Sequence, residues 1–481
     1  MRLSTNRILE ITGGRVACPA RDADRVLTDL TWDSRTAREG CVYAALPGER
    51  VDGNDFIAAA IEAGAGCVLA GRMPDERECD VARRRGAAVI VLDDVHEGIV
   101  ALASAWRDML DAVVVGITGS VGKTTTKALV RDVLSARFKT CATKGNFNNQ
   151  LGAPYTVLAA DPDCEMLVVE MGMDGAGQIA SICETARPDM GLINNVGVSH
   201  LERLGSRENI ARAKSELFDA LRPGSRAFVN ADDDMATYVR EVARLDARGI
   251  SVVLFSGSKE PEGVDDAVWA DACRVDEEGR PSFVLHARGF DAPAEGVSCS
   301  LRLRGLHNVS NACAAAAVAS ACGMELAEIA RALGSAEPEA GRQEVKRAAC
   351  GATVFDDSYN ASPASMAASL AMLAAYKAPG RKIAVLGDMG ELGEACVQGH
   401  IETGRAAARA HVDMLICVGE ASRGIAEGAL DAGMDAACVV CVACADDAVR
   451  ALEDTIEATD VVLVKASRFM GLDRVVEGVV A

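Results

Sequence analysis

The residues best suited to chemistry lie in one run, VVVGITGSVGKTTTKALV, where an apolar strand turns through glycines into Lys-Thr-Thr at the start of a helix. Small residues let backbone N–H groups approach a phosphate, and the helix N-terminus adds partial positive charge. Gly119, Ser120 and Gly122 therefore read as a phosphate cradle, Lys123 as the group that reaches the terminal phosphates, and the hydroxyl of Thr124 or Thr125 as a ligand for Mg²⁺. The glycines run GxxGxxGKT, with Ile117 where the standard phosphate-loop pattern wants glycine. A bare Gly-Lys-Thr marks only a helix start; strand, glycines and helix together point to a nucleotide.

In an open α/β sheet the nucleotide sits at the carboxyl ends of the strands, so partners belong there. Glu170 ends the strand EMLVVE, and His200 follows the strand that carries Ile193, Asn194 and Asn195. A hard divalent cation prefers oxygen, which suits Glu170 better than His200. Either side chain would serve equally as a structural hydrogen-bonding group. Lys214 lies in ARAKSELFDAL, an amphipathic pattern on which a lysine is ordinarily a solvated charge. The turn KGNFNNQLGAP offers Asn146, Asn148 and Asn149 as amide donors and acceptors, and a tight turn accounts for them equally well.

These residues need a framework. At 481 residues the chain exceeds one ordinary core, and about 100–200 residues per domain suggests three. LTWDSR, CVYAALPG, the helical run FIAAAIEAGA, CVLAG and AAVIVLDD form a small α/β domain over residues 1–108. A new apolar strand at 112–117 opens a central domain over 109–335, with alternating strands and helices that read as a mainly parallel sheet. Within it, residues 266–304 turn Val-rich and Gly-punctuated and suggest a small antiparallel addition. GSAEPEAGR reads as a linker. From ATVFDDS to DVVLVKAS the alternation resumes, giving a third domain over 336–481 of Rossmann-like α/β type.

Composition excludes several classes. Aromatic residues make up 4% and the formal charge is −20, so neither stacking platforms nor a general positive field for nucleic acid is expected. The first twenty residues lack a secretory pattern, and no apolar run approaches the roughly 20 residues that span a bilayer, which implies a cytoplasmic protein without membrane insertion. Seventeen scattered cysteines imply mostly reduced core residues. The cluster Cys438, Cys441 and Cys444 reads as a buried strand running into a helix, since spacing of three along a strand alternates faces.

TGSVGKTTT, EMGMDGAGQI, NNVGVSHLERLGS, ARAKSELF and GLHNVSNACAA, in this order, resemble the Mur ligases, ATP-dependent amide-forming enzymes of peptidoglycan precursor synthesis. The resemblance spans essentially the whole chain. TKGNFNNQLGAP, DDSYNASPASM, LGDMGELG and VKASRFMGLD, with the N-terminal DSR and GERVDGNDF, are similar to the members that add D-alanyl-D-alanine to UDP-N-acetylmuramoyl-tripeptide. The resemblance implies an acyl-phosphate intermediate, a pentapeptide product, ADP and phosphate, with ATP and Mg²⁺ as cofactors; a monomer is expected. It places Ser34 and Arg35 near the uridine diphosphate, and Asn146, Asn148 and Asn149 on the sugar-nucleotide side. Asn311 and Arg342 match positions that contact adenine, ribose or phosphates. Glu170 and His200 match the family's metal-binding acid and histidine, and Lys214 the lysine that is often carbamylated, which reverses the solvated reading. Asp357, Asn360, Lys465, Ser467 and Arg468 would close on ATP or the incoming dipeptide. Asn54 and Gln178 depart from the family's common histidine and glutamate. The alternatives are another Mur-type or folylpolyglutamate-type ligase, or a phosphate-loop NTPase without ligation.

Overall fold

A computed structural model describes residues 1–48 and 51–480; Glu49 and Arg50 of the GERVDGNDF segment lie outside the described residues. The chain forms two compact units interleaved in sequence. One comprises Met1–Gly116, Phe138–Met173 and Gly177–Met190, the other Ile117–Arg137, Asp174–Ala176 and Gly191–Ala481.

In the first unit the expected strands form a five-stranded sheet. Asp29–Thr31, Cys41–Ala44, Cys67–Ala70 and Ala88–Val91 run parallel, and Arg15–Cys18 closes one edge antiparallel to Ala88–Val91. Burial on both faces explains why these strands read as continuous apolar runs. The helix Glu76–Arg85 has no expected counterpart, because ERECDVARRR carries almost no apolar stripe. Its start is nonetheless written in Asp75 and Glu78, which form a reciprocal capping box. In the same unit Thr140–Ala142 pairs in parallel with Met166–Glu170, the strand that ends on Glu170.

In the second unit Arg226–Asn230, Ser251–Ser256 and Asp266–Val275 are parallel neighbours. Pro281–Arg288 and Val297–Ser300 then add antiparallel, as the change of composition over 266–304 implied. The residues read as a linker finish the helix Leu326–Ser335 and then run irregular but tied down: Glu339 pairs with Arg131 at 2.8 Å and lies 3.8 Å from Lys127.

Beyond them stands a six-stranded sheet ordered Glu344–Arg347, Thr353–Asp356, Val461–Lys465, Lys382–Gly387, Met414–Val418, Val439–Val442. All neighbours are parallel except the first pair. Alternate residues of each strand face opposite cores. Ala384, Leu386, Phe355 and Leu463 meet the helix Pro363–Ala375, while Ile383, Val385, Val354 and Val462 meet the helix Asp473–Val479. The last strand in the order is an edge, which corrects one expectation. The strand and helix appear where the cysteine cluster stands, yet Cys441 and Cys444 are exposed and Cys438 half-buried. All seventeen cysteines are free, and eight are buried. Among the described residues no three His, Cys, Asp or Glu side chains gather as ligands of an ion. No described helix is long and apolar enough to cross a membrane.

Two helices of this region, Cys396–Arg409 and Arg423–Asp431, meet backbone to backbone. A Cβ on Gly404 would stand 1.9 Å from the Ile425 carbonyl oxygen, and one on Gly428 2.0 Å from that of Ile401. Only glycine allows such an approach. Gly428→Ala must push the helices apart, and overpacking of this kind costs about 1–3 kcal/mol or more. The variant is expected to lower Tm by several degrees in a thermal melt, whereas Glu427→Ala, on the exposed face of the same helix, should leave it within about a degree.

Candidate active site

The strand Val113–Thr118 feeds the glycine turn, and Gly122, with φ 81°, precedes the helix Lys123–Leu134. A Cβ on Gly122 would lie 2.6 Å from Asn194 Nδ2 and 2.9 Å from Asn311 Oδ1, so the turn accepts no side chain. Three carboxamides hold it. Asn195 Oδ1 accepts from the N–H groups of Ser120 (3.1 Å) and Val121 (2.9 Å), and its Nδ2 donates to the Val121 carbonyl (2.9 Å). Asn194 Nδ2 donates to the same carbonyl (3.0 Å) and to Asn311 Oδ1 (3.1 Å), which also accepts from Thr126. Ser120 braces the loop by accepting from the Gly197 N–H at 2.8 Å. Asn311 is buried, and its Nδ2 donates to Asn308 Oδ1, so its amide supports the turn. Lys123 Nζ folds back onto the Gly119 carbonyl at 2.7 Å. Thr124 is buried and Thr125 half-buried on the first helical turn. The buried Thr118 Oγ1 and Asn194 Oδ1 make no hydrogen bond among the described residues, which fits a loop shaped to receive a polar ligand.

Lys214 lies on the helix Arg207–Asp219, capped by Ser206, and is 1% exposed. This overturns the solvated reading of the isolated helix. Ile210, Lys214, Leu217 and Phe218 share one buried stripe, so the lysine stands where an apolar residue belongs. Burial, with the Lys123 charge second, pushes its amine well below the usual lysine range. His200, in a left-handed conformation at φ 64°, places Nδ1 2.6 Å from Glu391 Oε2. The imidazole beside it holds the Glu391 carboxyl below the usual carboxylate range.

At the carboxyl ends of the six-stranded sheet the expected residues do converge. Lys465 Nζ lies 2.7 Å from Asp357 Oδ2 and donates to the Asn360 carbonyl at 2.9 Å. Burial pushes the Lys465 amine down, against the opposing pull of Asp357. Ser467 Oγ accepts from the Gly390 N–H at 2.9 Å. Arg342 and Arg468 stack on the Tyr359 ring at 4.3 and 5.7 Å. Asn194, Asn195, Tyr359 and Glu391 went unassigned from sequence. The dipeptide Asn194-Asn195 directly after an apolar strand was a legible signal; the role of Glu391 was not, since its partner lies 191 positions away.

In the first unit Arg35 forks onto Asp33 at 2.7 Å, with Ser34 between them on a short 3-10 turn. Trp32 packs edge-on against Phe147 and Tyr155, which brings the DSR segment beside the Asn-rich turn. Asn148 Nδ2 donates to Glu170 Oε1 at 2.8 Å, and the Glu170 carboxylate is buried. Asn149 Oδ1 accepts from the Leu151 and Gly152 N–H groups, the tight-turn role. Asn146 is exposed. Asn54 is buried and accepts from the Gly71 N–H.

Two outcomes follow from this geometry. Asn195→Ala leaves the Val121 N–H without its acceptor, while the Ser120 N–H keeps the backbone carbonyl of residue 195, and should weaken ADP binding about tenfold in a calorimetric titration, by an unmet hydrogen-bond cost of about 1–2 kcal/mol. Lys214→Met should raise Tm in CO₂-free buffer. The margin over wild type should widen as pH falls below the ordinary lysine range, because the unfolded wild-type lysine takes up a proton there before the folded one does.

Known proteins share this arrangement over the whole length. The Mur ligase family catalytic domain matches residues 27–107, the Mur ligase middle domain 117–319, and the Mur ligase glutamate ligase domain 341–468. The UDP-N-acetylmuramoyl-tripeptide--D-alanyl-D-alanine ligase of Mycobacterium tuberculosis is 38% identical over 100% of this chain and 98% of its own. A crystal structure of MurF from Acinetobacter baumannii superposes with TM-score 0.82 at 29% identity, covering 99% of this chain and 98% of that one. MurF of Thermotoga maritima in complex with ADP does so with TM-score 0.74 at 27% identity, covering 94% and 96%. With the glycine turn, the buried lysine and the three-domain α/β architecture all in place, the chain belongs to the Mur ligase family.

Proposed function

We propose that this chain is a cytoplasmic, monomeric ATP-dependent ligase that joins D-alanyl-D-alanine to the terminal carboxylate of UDP-N-acetylmuramoyl-tripeptide. The products are UDP-N-acetylmuramoyl-pentapeptide, ADP and phosphate. The observation that carries this reading is the phosphate loop with Lys123 and the buried Lys214, in a chain alike over its full length to ligases of that name. Residues 1–108 would hold the uridine end through Ser34 and Arg35, 109–335 ATP, and 336–481 the dipeptide, near Asp357, Asn360 and Lys465.

A carboxylate does not react with an amine at neutral pH, because its oxygens leave poorly and its charge repels the nucleophile. The tripeptide carboxylate attacks the γ-phosphorus of ATP in line, the bond to the bridging oxygen breaks, and ADP leaves behind an acyl phosphate. Lys123 swings from the Gly119 carbonyl to the transferring group and neutralises its charge. The amine of D-alanyl-D-alanine then attacks the acyl carbon, and phosphate departs from the tetrahedral intermediate. Acyl phosphates hydrolyse, so enclosure of the site must exclude water.

By residue type the expected donors suit a hard divalent ion: Thr124 and His200, within one unit, offer a hydroxyl oxygen and a ring nitrogen, and Glu170, within the other, a carboxylate. The amine of Lys214, held toward its neutral form, is the species that combines with CO₂, and the resulting carbamate would present two further oxygens. When bound, Mg²⁺ supplies charge neutralisation across the terminal phosphates.

Phosphate release is the direct test, with UDP-muramoyl-tripeptide offered alongside D-alanyl-D-alanine, other dipeptides or single amino acids. Release should require both the tripeptide and D-alanyl-D-alanine, and Lys123→Ala should reduce it at least about a thousandfold. Release from ATP alone at the same rate would leave only an NTPase.

A further inference from the structure

The segment that follows the strand Lys382–Gly387 is pinned from three sides. Asp388 Oδ1 accepts from the Ser422 N–H at 2.7 Å, the Met389 N–H donates to His400 Nε2 at 3.0 Å, and the Gly390 N–H donates to Ser467 Oγ at 2.9 Å. The next residue, Glu391, is held at φ 62° although it is not glycine. Its carboxylate reaches His200 Nδ1, and His200 is itself left-handed. The two turns also meet at a second point. A Cβ on Gly393 would stand 3.1 Å from Glu202 Cα, so the C-terminal segment lies directly on the turn that carries His200. A solvated ion pair is worth too little to hold two such conformations by itself.

We propose that Glu391 is the positioning residue for His200. Its carboxylate stands against Nδ1 as an ion-pair partner and draws the ring proton to that nitrogen, which sets the ring orientation and leaves Nε2 as the nitrogen that faces a divalent cation. The cation site is therefore complete only when the loop of the C-terminal sheet is seated on the His200 turn. This rests on the ligase reading above, which requires that cation. It also gives LGDMGELG a chemical task, with Asp388, Met389 and Gly390 as the anchors and Glu391 as the group delivered.

Mn²⁺ is the probe, titrated against the full chain with ADP present and followed by the electron paramagnetic resonance of the free ion. Glu391→Gln keeps the size of the side chain and removes its charge. It should weaken Mn²⁺ binding about tenfold to hundredfold while leaving ADP affinity in chelator, and Tm, unchanged. His200→Ala should weaken Mn²⁺ to a similar degree, and the double variant should be no worse than His200→Ala. Wild-type Mn²⁺ affinity in Glu391→Gln, or a full additional loss in the double variant, overturns the proposal while the ligase reading stands. A wild-type chain that takes up no Mn²⁺ with ADP sinks the cation reading and this proposal together.

Discussion

Where a Cβ on Gly122 would sit, Asn194 and Asn311 already stand within 3 Å, and Asn195 has taken the N–H groups of the two preceding residues. The phosphate loop is thus not a flexible glycine linker that wraps its ligand but a turn fixed in advance by amide side chains from two other elements. Its donors point where they do because those carboxamides leave no other arrangement. Preorganisation of this kind means that little conformational freedom is lost when a nucleotide binds. It also explains why a loop with irregular glycine spacing still works: Ile117 belongs to the strand, and the close approach is made at Gly119 and Gly122.

The charge distribution works at two scales. Over its length the chain carries a formal charge of −20, which repels polyanions at a distance. At the loop, two lysines stand close enough for one to depress the other, with Lys214 almost wholly buried. The groups suited to a small anion are Lys123 and the loop's backbone N–H groups, not a global field. Placing a lysine in the apolar stripe of a helix weakens the fold, and proteins accept that cost chiefly at sites of chemistry.

Much of the framework was legible in sequence because parallel strands buried on both faces write themselves as apolar runs, and because a strand, glycines and Lys-Thr-Thr have few other uses. Other features were legible but unread. Ile210, Lys214, Leu217 and Phe218 fall on one helical face, so the burial of Lys214 was already in the spacing. Asp75 and Glu78 announced a helix that lacked an apolar stripe. The exposure of Cys441 was beyond sequence reasoning, since nothing in AACVVCVACADD says that its strand stands at a sheet edge. Pairing of His200 with Glu391 depends on tertiary placement alone.

The glycine contact between the helices Cys396–Arg409 and Arg423–Asp431 bears on that pairing mechanically. His400 projects from the first helix and Ser422 precedes the second, and both hold the segment that ends on Glu391. With backbones touching at Gly404 and Gly428, neither helix can slide or roll against the other without a clash. The two anchors therefore behave as one rigid jaw. Engagement of Glu391 with its histidine is accordingly set by the placement of that jaw as a whole, and not by local play in the loop.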